Sequence, residues 1–205
     1  MELTGHVLPG YRINEYLLII QPKEALEEKI RAVREDFDKA FKIETKIPGR
    51  VNVGLVQFMQ YEMYEARIRN KLKLVGTGYM PFKVDLNGFG SYPSHTIFIN
   101  MVSRSAVQDL IKQVREQAGP AMRMNADNKP HFFKEPNINI GFRLKPWQYE
   151  KAWLEYSQKN FKGSFVADGM LLLKRREKGE PWQIVERYNF DNMLVAETAK
   201  QGMLF

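Results

Sequence analysis

The chain has 205 residues, 44% hydrophobic and 27% charged, enough for one large domain or two intimate lobes with a real core. It contains no cysteine, which excludes a disulfide framework, thiol chemistry and thiolate metal sites. Its net charge of +7 favours nucleic acid, a nucleotide or another polyanion as partner, although many housekeeping proteins are as basic. The start of the chain, MELTGHVLPGYRINEY, lacks a basic region followed by an apolar run, and no apolar run is long enough to span a bilayer. A soluble, cytoplasmic protein is the expectation.

EYLLIIQP (15–22) predicts a buried strand ended by proline. Leu26, Ile30, Val33, Phe37 and Phe41 recur at spacings of three and four, the pattern of an amphipathic helix over 23–41. RVNVGLVQF, from Arg50, predicts a strand and is followed by a helix from about Tyr61 to Leu74. Gly76-Thr77-Gly78 reads as punctuation, and Gly88-Phe89-Gly90 as a turn; neither has the spacing of a phosphate cradle. PFKVDLNGFGSYPS and HTIFINMV read as two strands, then SAVQDLIKQVREQAG as a helix capped by Ser103 or Ser105 and stopped at Gly119-Pro120. A polar loop leads to a second unusual strand, EPNINIGF, from Glu135. Lys145-Pro146 opens a helix to about Asn160, and FVADGMLLLKRRE with PWQIVERYNF predicts an antiparallel hairpin. Residues 191–205 read as a short helix or tail.

The halves repeat in order of elements: an unusual strand, a helix with Gln-Tyr-Glu near its start (60–62 and 148–150), then further strands. The repeat predicts an α+β fold of two lobes related by a pseudo-twofold. Antiparallel sheets would surround a central cleft, helices would lie outside, and the unusual strands would sit side by side at the centre. No linker separates the lobes, so residues 1–205 read as a single bilobal domain. Strand alternation places Val51, Val53 and Leu55 on one face and Asn52, Gly54 and Val56 on the other. It likewise separates Ile138, Ile140 and Phe142 from Asn137, Asn139 and Gly141. A face of asparagine and glycine offers hydrogen bonds and room, which suits an oxygen-rich ligand. Asparagines in a strand can also serve only to bond one another or the backbone.

Over roughly Tyr16 to Phe190, these two strand motifs in duplicated lobes resemble the 2H phosphoesterases, which include the 2'-5' RNA ligase-like proteins and cyclic phosphodiesterases. The family motif is histidine, any residue, threonine or serine, then a hydrophobic residue, once per lobe. Asn52 and Gly54 stand at the first histidine and hydroxyl positions, Asn137 and Asn139 at the second. The resemblance implies one histidine as general base, the other as general acid, and hydroxyls holding the phosphate. Asparagine has no pKa near neutrality, and losing one general acid or base typically costs about 10²–10⁴ in rate. No confident catalytic residue remains.

The resemblance therefore implies a catalytically degenerate protein that binds a nucleotide or RNA phosphate. The candidate binding residues are Asn52, Asn137 and Asn139, with Lys134, Arg50 and Arg143 as flanking cations and Gln57 as a weaker candidate. One alternative is a working phosphodiesterase that uses non-motif groups, His131 first among them. Another is a protein-interaction module with a vestigial cleft. Of the other histidines, His6 reads as exposed and His95 as structural. Lys174-Arg175-Arg176 reads as a solvated basic run, and Trp147, Trp153 and Trp182 as core. No metal-ligand spacing appears, so neither metal nor cofactor is expected; the partners expected are nucleotides or RNA ends.

Overall fold

The computed structural model describes residues 10–44, 47 and 49–193; His6 and most of the predicted tail lie outside them. The elements are, in order, β1 (Ile13–Ile20), α1 (Glu24–Phe41), β2 (Val53–Tyr61), α2 (Glu65–Gly78), β3 (Phe82–Tyr92), β4 (Thr96–Met101) and α3 (Arg104–Met122). Then follow β5 (His131–Phe132), β6 (Ile138–Phe142), α4 (Pro146–Tyr156), β7 (Lys162–Ala167), β8 (Gly169–Arg175) and β9 (Gln183–Asn189). One antiparallel sheet runs β5-β2-β1-β8-β9, the other β6-β4-β3-β7. The order β2-β1-β8-β9 in the first answers to β6-β4-β3-β7 in the second, which is the pseudo-twofold.

Helices α2 and α3 cover the first sheet, against β9 and β2, while α1 and α4 cover the second, against β6 and β4. The predicted stripe of α1 buries Ile30, Phe37 and Phe41, and Phe37 and Phe41 meet the Tyr156 ring of α4. The repeated Gln-Tyr-Glu has a structural reason. Gln60 Nε2 donates to the Ala121 carbonyl near the end of α3, and Gln148 Nε2 donates to the Phe41 and Lys42 carbonyls at the end of α1. Both side chains are buried, so each satisfies helix-terminal acceptors that water cannot reach.

Several expectations change. The lobes are not the sequence halves, because β8 and β9 return to the sheet of β1 and β2 while β3 joins β6 and β7. The unusual strands are not side by side: β2 and β6 belong to different sheets and face each other across a cleft. FVADGMLLLKRRE is two strands, since the chain crosses between sheets at Asp168. The fourth helix ends at Tyr156, not near Asn160.

Gly76 to Gly78 form the last residues of α2, where a Cβ at Gly76 would lie 2.9 Å from the Asn189 carbonyl, so glycine permits close packing on β9. Gly88 to Gly90 lie within β3, at a register shift where Gly88 takes φ +66°. Helix α3 passes through Pro120 to Met122, and Ser103 makes no capping bond; its Oγ accepts from the Asp85 amide instead. Trp147 is 48% exposed rather than core. Trp182 packs on a small second cluster with Ile19, Leu171 and Leu173. Among the described residues, no helix is long and apolar enough to cross a membrane.

Candidate binding cleft

Asn52 and Asn137 each sit one residue before their strand, β2 and β6, and both line one cavity of about 420 Å³ between the sheets. Asn139, Gly54 and Arg50 line it too, as predicted. Lys134 and Arg143 do not. Lys134 belongs to an adjoining cavity of about 740 Å³, and Arg143 lies beyond Phe142, its guanidinium 5.6 Å from that ring's centre.

The strands carry matching irregularities. In β2, Leu18 pairs with Val56 and Ile19 with Gly54, so Leu55 is an extra, unpaired residue. In β6, Ile97 pairs with Gly141 and Phe98 with Asn139, so Ile140 is the extra residue. Each bulge falls three positions after the motif asparagine. It turns the following residues over, and strict alternation fails there. Val56 and Gly141, predicted for the cleft face, lie buried, while Gln57 and Phe142 line the cleft.

The asparagines are held in the same way. Asn52 Nδ2 donates to the Arg50 carbonyl at 2.9 Å, and Asn137 Nδ2 to the Glu135 carbonyl at 3.2 Å, in each case two residues back. Asn137 Nδ2 also donates to the Tyr92 hydroxyl at 2.9 Å, and Tyr92 donates onward to Glu135 Oε2 at 3.0 Å. Burial, reinforced by Glu135, pushes the Tyr92 phenol above its ordinary pKa of 10, so Tyr92 remains a neutral donor. Asn139 Oδ1 is buried without a hydrogen-bond partner. Such an atom is costly unless water or a ligand meets it.

Two features escaped the sequence reading. Arg34 of α1 lines the cleft and its Nε donates to the Asn139 carbonyl at 2.9 Å. Burial lowers its pKa to about 10, against the pull of Asp38 and Glu27, so it stays cationic at neutral pH. Arg34 follows Ile30 by four and precedes Phe37 by three, which places it on the apolar stripe of α1; that spacing was the available signal. The second feature is Phe133. Its amide donates to the Leu55 carbonyl at 3.1 Å, and its ring covers Gly54, where a Cβ would stand 2.8 Å from Cε2. An aromatic ring therefore occupies the neighbourhood in which a hydroxyl side chain would stand.

His131 pairs with Gln57 across β2 and β5 but lines the adjoining cavity, with Arg115, Phe133 and Lys134, rather than the asparagine cleft. Exposed His95 bonds the Pro93 carbonyl through Nδ1 and stacks on Tyr92. The basic run is partly engaged: Lys174 pairs with Glu65 at 2.8 Å, and Arg175 pairs with Glu15 at 2.5 Å while lying over the Trp182 ring.

Two pseudo-twofold lobes, each presenting one motif strand to a shared cleft, define a 2H phosphoesterase-like architecture. The chain belongs to the 2'-5' RNA ligase superfamily, whose family model matches residues 22–179. The solved structures agree in fold. E. coli LigT complexed with 3'-AMP is 13% identical with a TM-score of 0.66, covering 87% of this chain and 99% of that one. TT0787 of Thermus thermophilus is 16% identical with a TM-score of 0.57, covering 86% and 98%. E. coli LigT complexed with phosphate gives 14% and 0.53, covering 87% and 98%. No curated protein matches the chain in sequence.

Proposed function

We propose that this protein binds a nucleotide or the end of an RNA in the cleft between its lobes and does not turn it over. The observation that carries this reading is the convergence of Asn52 and Asn137, from the two motif strands, on one cavity flanked by Arg34 and Arg50. Carboxamides hold a ligand by hydrogen bonds but shuttle no proton near neutrality. The E. coli LigT structures with 3'-AMP, ATP and phosphate lend support by fold likeness. In this reading residues 1–205 act as one bilobal domain.

Each neutral hydrogen bond contributes about 0.5–1.5 kcal/mol net and a charge-assisted one about 1.5–3 kcal/mol. A few of these, less the cost of immobilising the ligand, give affinities of roughly micromolar to millimolar. The test is calorimetric titration with AMP and short RNAs, together with a hydrolysis assay on 2',3'-cyclic AMP. Binding that weakens as salt rises and disappears in Asn137→Leu, with hydrolysis at background, is expected. Lack of asparagine-dependent binding, or robust hydrolysis with a bell-shaped pH profile, overturns the reading. Hydrolysis would point to Tyr92 and Glu135, the titratable pair beside Asn137.

A further inference from the structure

At the two motif asparagines the cleft offers acceptors, although Arg34, Arg50 and Thr96 bring donors to the same lining. The atom that faces the Arg50 carbonyl must be the amide nitrogen of Asn52, and the same holds for Asn137 against the Glu135 carbonyl, because two oxygens would repel there. Tyr92, which gives its own proton to Glu135, must accept from Asn137 Nδ2, and this fixes the orientation a second time. Both amide nitrogens are therefore engaged with the protein. Both Oδ1 atoms lack a partner among the described residues, on side chains that line the cavity. This polarity is the reverse of what a phosphate needs, since a phosphate oxygen set against carboxamide oxygens gains no hydrogen bond and meets repulsion. A metal cation would satisfy the oxygens, but Arg34, bonded to the backbone of Asn139, and Arg50, which precedes β2, line the same cavity and oppose it.

We infer that the group seated between Asn52 and Asn137 is a neutral hydrogen-bond donor, the free 2',3'-diol of a ribose end, with the phosphate of the same ligand left to Arg34 and Arg50. A cis-diol supplies two adjacent O–H donors for facing oxygens. The cleft thereby selects nucleotides and RNA ends whose 2' and 3' hydroxyls are unmodified. This inference rests on the nucleotide-binding reading above and adds which end of the ligand is recognised.

The experiment titrates the full-length protein with 5'-AMP, 2',3'-dideoxy-AMP, 3'-AMP and 2',3'-cyclic AMP, and repeats all four with Asn52→Leu and Asn137→Leu. The expected result is 5'-AMP binding about ten-fold or more tightly than each of the others, the loss expected when the two ligand donors that meet the asparagine oxygens are removed. Both leucine variants should lose 5'-AMP binding while keeping the parent's circular dichroism. Should either variant unfold, Asn52→Ala or Asn137→Ala serves in its place, since truncation removes the same acceptor oxygen without adding bulk. Equal or tighter binding of 3'-AMP or the cyclic phosphate, lost in the asparagine variants, overturns the diol inference and leaves nucleotide binding standing. Absence of asparagine-dependent binding for every ligand overturns both.

Discussion

Gly54 and Phe133 set the chemistry of the first motif at the scale of single residues. Without a side chain at position 54, the Phe133 ring lies against the strand, and any Cβ would meet it at 2.8 Å. Restoring the family hydroxyl by Gly54→Thr should therefore overpack the site and destabilise the protein by about 1–3 kcal/mol. At this size 1 kcal/mol corresponds to a fall of about 2–4 °C in Tm. The double variant Gly54→Thr/Phe133→Ala should be less destabilised than the sum of its single changes, because the added and removed atoms compete for one space. Thermal melts of the four proteins in that cycle check this; strict additivity would show that Phe133 yields freely. Gly141 has a tighter version of the same constraint. A Cβ there would lie 2.7 Å from Phe37 Cζ in the buried core, so Gly141→Ala should cost stability with no smaller neighbour ready to give way.

Elements explain which parts of the site could be read from the chain. Helical spacing in α1, the repeated order of strands and helices, and the two motif strands were legible because each follows from local periodicity. Asn52, Asn137 and Asn139 were found in this way, and all three line the cleft; Arg50, named only for its place beside the first motif strand, lines it too. The bulges at Leu55 and Ile140 were missed because alternation assumes an uninterrupted pleat; the glycine beside each extra residue, Gly54 and Gly141, was the available hint. That error put Val56 and Gly141 on the cleft face and Phe142 off it, and left Gln57 only a weaker candidate. Lys134 and Arg143 were placed by sequence proximity alone; beyond the second bulge Arg143 adopts φ +54° and leaves the cleft wall. Crossing between sheets at Asp168 was hidden because one apolar run served two strands. The repeated Gln-Tyr-Glu was visible, but its role depends on contacts more than 60 residues apart. Changing Gln148 to leucine would leave the Phe41 and Lys42 carbonyls and the Lys145 amide without their side-chain partner. A loss of about 1–3 kcal/mol is expected, read from urea unfolding as a lower midpoint at unchanged slope.

Across the whole molecule, the first sheet ties its three inner strands together with charge. Glu15 of β1 accepts from Gln57 of β2 and from Arg175 Nε of β8, so one carboxylate links three strands and orients a cleft-lining amide. Burial alone would raise the pKa of this carboxyl, but the bonds from Arg175 and Gln57, with the charge of Arg175, outweigh it and hold the group below its ordinary 4.5. The sign follows from linkage. A carboxyl with a depressed folded pKa contributes stability that is fully present above the unfolded value and is lost as pH falls through the folded one. Between neutral pH and about 5 this contribution should be constant, and below 4.5 it should decline as Glu15 is protonated in the unfolded state first. Glu15→Gln removes the titration while keeping an oxygen acceptor for Arg175. Compared by urea unfolding at pH 7 and pH 3.5, the parent should lose more stability on acidification than the glutamine variant. An equal loss in both would show that Glu15 has the same pKa folded and unfolded, and that the link across β2, β1 and β8 carries no charge-dependent stability.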